Sequence, residues 1–347
     1  MSHTETTGLE LARFTTLRVG GPARQVITVE SENELIETVR ALDAAREPLL
    51  ILGGGSNVLI GDAGFGGTVV KVATSGLDAD VSSCSGAIVE VAAGESWDGL
   101  VAHAVSQEWG GVEALAGIPG LVGGTPIQNV GAYGAEVAQT IESVRTYDRS
   151  TGRRATFAVA DCGFSYRSSR FKAEPHRYVI LAVTFQLPLG SLSAPIRYAE
   201  LARRLGAEIG ERVEAARVRE CVLSLRGSKG MVLDADDHDT WSAGSFFTNP
   251  ILDAARAAAL PPAAPTFGQP DGTVKTSAAW LIEHAGFGKG HGAGAATLST
   301  KHTLALTNRG NATAADLLDL AREIRSGVES AFGITLQPEP ILIGCAL

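Results

Sequence analysis

The sequence lacks most of the features that would assign it quickly to a class. Its four cysteines (Cys84, Cys162, Cys221 and Cys345) lie far apart without a CxxC pair. This spacing argues against a zinc site or a disulfide framework and favours buried thiols in a reducing compartment. The N-terminal residues carry neither a basic start nor an apolar run, and no apolar stretch reaches membrane-spanning length. We therefore expect a soluble cytoplasmic protein without a membrane partner.

Positive charge is also scarce. The chain carries 29 Lys and Arg against 38 Asp and Glu, a formal net charge of −9. This balance argues against a broad nucleic-acid surface but leaves room for local basic pockets that bind phosphates. With 347 residues and 45% hydrophobic content, the chain is long enough for two or three globular domains.

Several catalytic and nucleotide-binding motifs are absent. The chain contains no GxGxxG in a βαβ setting, no GxxxxGK[ST], no HExxH and no GxSxG. The ordinary dinucleotide fold, the P-loop and hydrolase chemistry are therefore disfavoured. The acidic run DADDHDT (234–240) lacks the glycine and the terminal glutamate of a calcium loop, so we expect a solvated loop there and no metal site.

Hydrophobic periodicity predicts alternating helices and strands. Ser31 and Glu34 form a candidate capping box for the first helix, and Thr313 with Asp316 can cap the last one, which Gly333 can end. The predicted helices cover 31–46, 97–108, 212–226, 276–285 and the residues after Thr313. The predicted strands cover 49–52, 68–72, 87–94, 141–148, 155–159, 177–187, 302–308 and 341–343.

Glycine, in contrast, is abundant. The chain has 41 glycines, and many of them lie in clusters. The run GGGSNVLI (53–60) follows a predicted strand, and its backbone N–H groups can form an anion nest for a pyrophosphate, although a tight turn is the alternative. The second cluster, 117–137, adds polar groups that can bind a flat polar ring, or it is a domain-linking loop. Its length favours function. The polar residues are Thr125, Gln128, Asn129 and Tyr133.

Other segments hold candidate side chains. Arg167 and Arg170 can form a fork for a carboxylate or phosphate, or they are surface cations. Glu339 lies between two prolines before a strand, where desolvation would raise its pKa; a simple turn acid is the alternative. Ser245, in WSAGSFFTNP (241–250), lies between small and aromatic residues without a recognisable base.

Eight blocks in one order resemble the UDP-N-acetylenolpyruvoylglucosamine reductase (MurB) family of bacterial cell-wall synthesis, in the subclass with a substrate-loop tyrosine. The similarity covers most of the chain, and so many ordered blocks are a specific signal. The blocks are TTLRVGGPA (15–23), ILGGGSNVLI (51–60), the 117–137 loop, FSYRSSRFK (164–172), AGSFFTNP (243–250), TVKTSAAWLIE (273–283), LSTKHTLALTN (298–308) and PEPILIG (338–344).

The resemblance implies an α+β (mixed α/β) fold, with a two-lobed FAD-binding domain of the vanillyl-alcohol-oxidase type and a C-terminal α/β substrate-binding domain. We place the lobes at 1–75 and 76–228, with a substrate loop near 190–200, and the C-terminal domain at 229–347, whose last strand could pack back on the first lobe. The resemblance further implies noncovalent FAD, NADPH as co-substrate, and reduction of UDP-N-acetylglucosamine enolpyruvate to UDP-N-acetylmuramate. We expect the enzyme to be monomeric.

The resemblance also assigns roles to residues. Arg167 and Glu339 would stabilise the charge that develops when hydride from flavin N5 reaches C3 of the substrate, and Ser245 would protonate C2. The substrate side would comprise Tyr198, Arg226, Lys229, Asn249 and Lys275, with Lys229 the candidate to assist Ser245. FAD would contact Gly53, Gly54, Gly55, Ser56, Asn57, Ile118, Pro119, Gly120, Gly123, Gly124, Thr125, Gln128, Asn129, Gly131, Ala132 and Tyr133.

The sequence departs from the family pattern at two places, and two alternative functions stay open. Pro340 stands where the family pattern leads us to expect a valine-like residue, and the segment 234–240 lengthens the approach to Ser245.

One alternative function is that of another FAD-dependent oxidase or dehydrogenase of the same fold, in which flavin is often covalent. The other is a noncatalytic sugar-nucleotide binding protein, against which the joint presence of Arg167, Ser245 and Glu339 argues.

Overall fold

The structure, a computed structural model, describes residues 4–347. Residues 1–3 of the predicted first lobe lie outside the described part. The strands are β1 Thr4–Thr7, β2 Ala23–Val29, β3 Leu49–Leu52, β4 Val58–Ile60, β5 Phe65–Val72, β6 Leu77–Ser82, β7 Gly86–Ala92, β8 Gly131–Ala132, β9 Ala135–Glu136, β10 Ile141–Asp148, β11 Arg153–Ala158, β12 Tyr178–Leu187, β13 Ile251–Leu252, β14 Thr266–Gly268, β15 Val274–Thr276, β16 Ala296–Leu298, β17 Leu306–Asn308 and β18 Ile341–Ile343.

Eight α-helices accompany the strands within residues 4–347. They are α1 Glu32–Ala44, α2 Trp97–Ser106, α3 Arg170–Ala173, α4 Ala199–Leu205, α5 Ala215–Ser228, α6 Ala254–Ala258, α7 Ala278–His284 and α8 Ala314–Phe332. None of the helices in this range is both long and apolar enough to span a membrane.

The chain folds into two compact units that interleave along the sequence. The first comprises Met1–Leu9, Ala23–Gly54 and Gly66–Ser228; the second comprises Glu10–Pro22, Gly55–Phe65 and Lys229–Leu347. The predicted domains follow one another along the chain, whereas these two units interleave. The units also do not separate the two predicted FAD-binding lobes. The lobe boundaries therefore stay a prediction.

The first unit is built on two sheets. One has the order β1-β2-β5-β3, in which β3 and β5 are parallel, and the other the order β11-β10-β12-β7-β6. Alternate residues of β7 are buried, as expected for a strand with one face on a core. Apolar residues of both sheets and of helices α1, α2 and α5 form one hydrophobic core.

The second unit has a core of its own around α7 and α8. Thr313 caps α8 and forms the predicted capping box with Asp316, and Gly333, at φ +66°, ends the helix. Strand β18 pairs in parallel with β4, with Ile341 opposite Val58. The last strand of the chain therefore lies beside the strand that follows the first glycine loop.

Some predicted elements needed correction. The helix predicted at 212–226 begins at Ala215, because residues before it pair with another segment: the N–H of Ser193 donates to the carbonyl oxygen of Val213. It also continues through Gly227 to Ser228, since one exposed glycine costs a helix only about 1 kcal/mol. The strand predicted at 302–308 is reduced to Leu306–Asn308, because a turn brings the N–H of Ala305 to the carbonyl of His302.

Candidate active site

The first glycine loop begins where β3 ends. Gly53 and Gly54 belong to the first unit, in which Gly54 lies against Gly120 of the second glycine loop. A Cβ atom at Gly54 would be only 2.7 Å from the Cα of Gly120. Glycine is therefore required here by the close approach of two backbones.

The second glycine loop uses many of its own N–H groups. Gly123 donates to the carbonyl of Ala93 (2.9 Å), and Gly124 donates to that of Leu121 (3.0 Å). The Asp98 carboxylate accepts from Gly117 (2.7 Å). Of the two segments proposed to bind the FAD phosphates, 53–57 and 117–124, the second therefore has several amides already occupied.

The loop nevertheless suits a large flat cofactor. A Cβ added at Gly124 would have no protein atom within 4 Å, so this glycine faces open space. Thr125 is buried and donates its hydroxyl to the carbonyl of Val122 (2.8 Å), which makes its side chain part of the loop's frame. The combination of a rigid frame and a surface without side chains fits a ligand that approaches the backbone closely.

Asn129 connects the second glycine loop to the FSYRSSRFK block. Its side-chain amide nitrogen donates to Glu136 (2.8 Å) and to the carbonyl of Ser165 (3.2 Å), and its oxygen accepts from the N–H of Ala138 (3.2 Å). The residue has φ +45° and is 1% exposed. Asn129, which we expected to contact FAD, thus has a side chain that holds the loop together.

Arg167 occupies an unusual backbone position. Ser165 and Ser168 exchange both backbone hydrogen bonds, so that Tyr166 and Arg167 form a two-residue turn. Arg167 has φ +52°, a left-handed conformation for which glycine or asparagine is preferred. Its Nη2 donates to the carbonyl of Gly131, 2.9 Å away, in the second glycine loop. A bulky residue held at positive φ is typical of a functional site.

Two tyrosines and an arginine gather in the first unit. The rings of Tyr133 and Tyr198 meet edge to face, with centroids 5.4 Å apart. Burial raises the pKa of Tyr133 to about 12, so it stays a neutral phenol near neutral pH. Burial also lowers the pKa of the Arg226 guanidinium, and the negative charge of Asp98 partly offsets this shift. These side chains therefore form a partly dry, polar surface that includes one guanidinium group.

Glu113 is a functional candidate that the sequence analysis missed. It is 1% exposed, and its two carboxylate oxygens accept hydrogen bonds from the N–H groups of Gly111 and Ala194, both at 2.6 Å. It thereby ties the segment that leads to Tyr198 to the residues before the second glycine loop. The available signal was an acid inside the apolar run 112–116, since an isolated carboxylate is buried only with strong partners.

The second unit positions Ser245. The aromatic residues that follow it, Phe246 and Phe247, are each 1% exposed, and the N–H of Phe246 donates to the carbonyl of Leu304 (2.7 Å). Gly244 has φ +72°, and a Cβ there would meet no protein atom within 4 Å. Ser245 is thus half-buried between a dry aromatic pair and an open glycine, as its neighbours in the sequence suggested.

Glu339 lies on the segment next to Ser245. Its N–H donates to the carbonyl of Phe246 (2.8 Å), and Phe247 forms a β-bridge with Pro338. The side chain of Asn57, in the first glycine loop, donates to the carbonyl of Glu339 (3.3 Å). Glu339 is 9% exposed, so the desolvation predicted for it is present. Pro340 does not disturb β18, which starts at the next residue.

The other substrate-side candidates of this unit have different settings. Asn249 accepts from the N–H of Ala278 (2.9 Å) and so holds the start of α7. Lys275 lies on β15, opposite Ile251 of β13 and Phe267 of β14. Lys229 is half-buried just beyond the end of α5.

The acidic segment 234–240 is not the fully solvated loop that we predicted. Asp239 and Thr240 are each 4% exposed, and Asp239 accepts from the N–H of Thr300 (2.9 Å) and from Arg309 (2.9 Å). A hydrogen bond from Lys301 lowers the pKa of Asp237. The segment therefore fastens the 299–301 turn, which no sequence pattern indicated. No cluster of His, Cys, Asp and Glu within residues 4–347 could hold a metal ion.

Two ranges of the chain match known protein families. Residues 23–157 match the family described as "FAD binding domain", and residues 236–343 match "UDP-N-acetylenolpyruvoylglucosamine reductase, C-terminal domain". Curated proteins named UDP-N-acetylenolpyruvoylglucosamine reductase are similar over nearly the whole length. The protein of Cutibacterium acnes is 61% identical (97% of this chain, 90% of that protein), and that of Salinispora arenicola is 57% identical (97% and 95%).

A solved structure extends the similarity to the fold. The UDP-N-acetylenolpyruvylglucosamine reductase of Thermus caldophilus is 25% identical, with a TM-score of 0.66 and coverage of 99% of both chains. The predicted fold class, an FAD-binding domain with a further C-terminal domain, is thereby confirmed.

The backbone of Arg167 gives a first testable prediction. Arg167→Gly should be more stable than Arg167→Ala, with a free energy of unfolding about 1 kcal/mol larger, because alanine is disfavoured at positive φ. Urea unfolding of the two variants measures this difference. Arg219, inside helix α5, is the matched control: there the glycine variant should be the less stable by about 1 kcal/mol. The same order at both positions would contradict a strained Arg167.

A second prediction concerns Glu113. In Glu113→Gln one carboxylate oxygen becomes an NH₂ group. This group is a donor, so it cannot accept the hydrogen bond from the N–H of Gly111 or Ala194 that the oxygen accepted. Hydrogen exchange of the Gly111 or Ala194 amide should become about 10- to 100-fold faster, since a hydrogen bond to a charged group contributes about 1.5–3 kcal/mol. Glu208→Gln, at an exposed glutamate, is the control and should leave both amides unchanged. Unaltered exchange in Glu113→Gln would show that the carboxylate does not anchor this segment.

Proposed function

We propose specific catalytic roles for Arg167, Ser245 and Glu339, on the premise that this chain belongs to the UDP-N-acetylenolpyruvoylglucosamine reductase family. The enzyme uses NADPH and FAD to reduce UDP-N-acetylglucosamine enolpyruvate to UDP-N-acetylmuramate in peptidoglycan precursor synthesis. The observation that carries the proposed roles of Ser245 and Glu339 is the hydrogen bond from the N–H of Glu339 to the carbonyl of Phe246, because it puts the glutamate beside the serine segment.

When bound, FAD would supply the chemistry that side chains lack, the transfer of a hydride from NADPH to C3 of the enol ether. Two glycine loops can hold it, with the pyrophosphate on backbone N–H groups of the first loop. The open space at Gly124 fits this assignment, and the Gly54–Gly120 contact holds the two loops together. No cofactor-binding cysteine or histidine is needed for noncovalent binding.

Arg167 and Glu339 are proposed to stabilise the negative charge that develops at C2 and in the substrate carboxylate. A guanidinium presents several N–H donors in a fixed plane, which suits a carboxylate. The hydrogen bond to Gly131 limits the rotation of Arg167. Burial favours the neutral form of a carboxyl group, so we assign Glu339 the role of a neutral O–H donor to the same carboxylate.

Ser245 is proposed to give the proton to C2. A serine hydroxyl is a weak acid, but an enolate carbon is a strong base, and a fixed geometry makes the transfer feasible. Phe246 and Phe247 keep water from one side of the serine segment. Lys229 is our candidate to assist the hydroxyl as a nearby cation.

The substrate's nucleotide end carries the remaining negative charge. We assign its recognition to Tyr198, Arg226, Lys229, Asn249 and Lys275, a set rich in cations despite the acidic net charge of −9. The neutral phenol of Tyr133 can donate a hydrogen bond at the same surface of the first unit. We further propose that the enzyme acts as a monomer in the cytoplasm, without nucleic-acid or membrane partners.

The two half-reactions test the role of Ser245. Wild-type protein should turn over NADPH continuously only when the enolpyruvyl substrate is present; without substrate, oxidation of NADPH should stop once the flavin is reduced. In Ser245→Ala, NADPH should still bleach the flavin absorbance at the normal rate, whereas its recovery on adding substrate should slow by about 10²–10⁴-fold, the usual contribution of general acid catalysis. Stopped-flow absorbance separates these steps.

Ser326→Ala, at an exposed serine of α8, is the control and should leave both steps unchanged. If Ser245→Ala slowed both half-reactions equally, the serine would be structural. If wild-type protein showed no substrate-dependent oxidation of NADPH, the assigned activity would fail.

The role of Glu339 can be tested with two substitutions. Glutamine keeps a neutral hydrogen-bond donor, whereas alanine keeps none. Glu339→Ala should lower kcat by about 10²–10³-fold, the typical loss for one such donor. Glu339→Gln should retain considerably more activity. Equal losses in both variants would argue that the enzyme needs an ionisable carboxyl group, and steady-state kinetics would reveal it.

A further inference from the structure

Lys71 is a charged residue inside an apolar strand of the first unit. It belongs to β5, between Val70 (0% exposed) and Val72 (4% exposed), and it lies opposite Leu52, the last residue of β3. Because β3 and β5 are parallel, Lys71 is at the carboxyl end of this strand pair. Ligands of open α/β sheets bind outside such ends.

The contacts of Lys71 are with backbone oxygens. Its Nζ donates to the carbonyl of Gly53 (2.8 Å) and lies 3.5 Å from that of Val72. No carboxylate in the described part of the chain forms an ion pair with it. Burial lowers the pKa of the ammonium, and no neighbouring negative charge offsets this shift. A partly buried cation without a counter-charge is costly, which calls for a reason to keep it.

The bond to Gly53 fixes the orientation of one peptide group. In a planar trans peptide, the C=O of one residue and the N–H of the next point in opposite directions. The carbonyl of Gly53 points at Lys71, so the N–H of Gly54 points away from it. Both residues are glycines, whose peptide group can rotate at little cost unless something holds it.

We propose that Lys71 is a positioning residue for FAD: it holds the Gly53–Gly54 peptide so that Gly54 presents its N–H to the cofactor's pyrophosphate. The inference rests on the FAD binding described above and adds a residue outside both glycine loops. Gly54 has no freedom to move aside, because it packs against Gly120. Its N–H therefore depends on the rotation of this one peptide group. The positive charge of Lys71 also favours an anion at the loop.

The test is FAD binding to the apoprotein, measured by quenching of flavin fluorescence. Lys71→Met keeps the apolar stem but removes the donor and the charge. Its Kd for FAD should rise about 10- to 100-fold, the loss expected for a charge-assisted hydrogen bond. Lys71→Arg, which keeps both donor and charge, should restore most of the affinity and covers the case in which Lys71→Met does not fold.

Stability of the apoprotein separates positioning from a merely structural role. Lys71→Met removes a desolvated ammonium, so the Tm of its apoprotein should equal or exceed that of the wild type. The increase in Tm on adding FAD should be smaller in the variant. Lys289→Met, at an exposed lysine, makes the same change in net charge and should affect neither quantity. A wild-type Kd for FAD in Lys71→Met would overturn the proposal. So would a loss of affinity accompanied by a comparable loss of apoprotein stability.

Discussion

The parallel pairing of β18 with β4 is the constraint on which the proposed catalytic arrangement of the second unit depends. It brings residues near the C-terminus next to the strand that follows the first glycine loop. Glu339, just before β18, thereby receives the Asn57 hydrogen bond and contacts the Phe246 backbone. Residues separated by more than 280 positions become neighbours through a few backbone hydrogen bonds, which cannot shift register while the apolar side chains of β4 stay buried.

Backbone groups are also the partners of two charged side chains in the first unit, Glu113 and Lys71. Glu113 binds two N–H groups, and Lys71 binds carbonyl oxygens. Such charges hold loops in place without an oppositely charged side chain nearby. The arrangement suits loops rich in glycine, which have few side chains with which to fix themselves. Rigidity at the glycine loops is then supplied from strands and turns outside them.

Much of the fold was predictable from the sequence. The strand at 341–343, the capped helix after Thr313 and the strand at 141–148 appear with nearly the bounds expected, because their apolar periodicity and end signals agree. The errors fell where tertiary contacts override local preference. Residues 302–305 form a turn, although the sequence pattern predicted a strand. Asp239 is buried, although the acidic segment that contains it was predicted to be exposed to solvent. Both segments also have partners far along the chain: the carbonyl of Leu304 accepts from the N–H of Phe246, and Asp239 accepts from Thr300 and Arg309.

The sequence by itself determined the chemistry available: glycine loops for a dinucleotide, an arginine and a glutamate for a carboxylate, and a serine between small and aromatic residues. Ordered motifs were enough to indicate the family, because they are defined by residue identity. Tertiary structure alone decided which groups are already committed, such as the Asn129 side chain and the N–H of Gly123, and which peptide groups are held by Glu113 and Lys71. Hydrogen bonds over long sequence separations leave no periodic trace in the sequence, so only the folded chain reveals them.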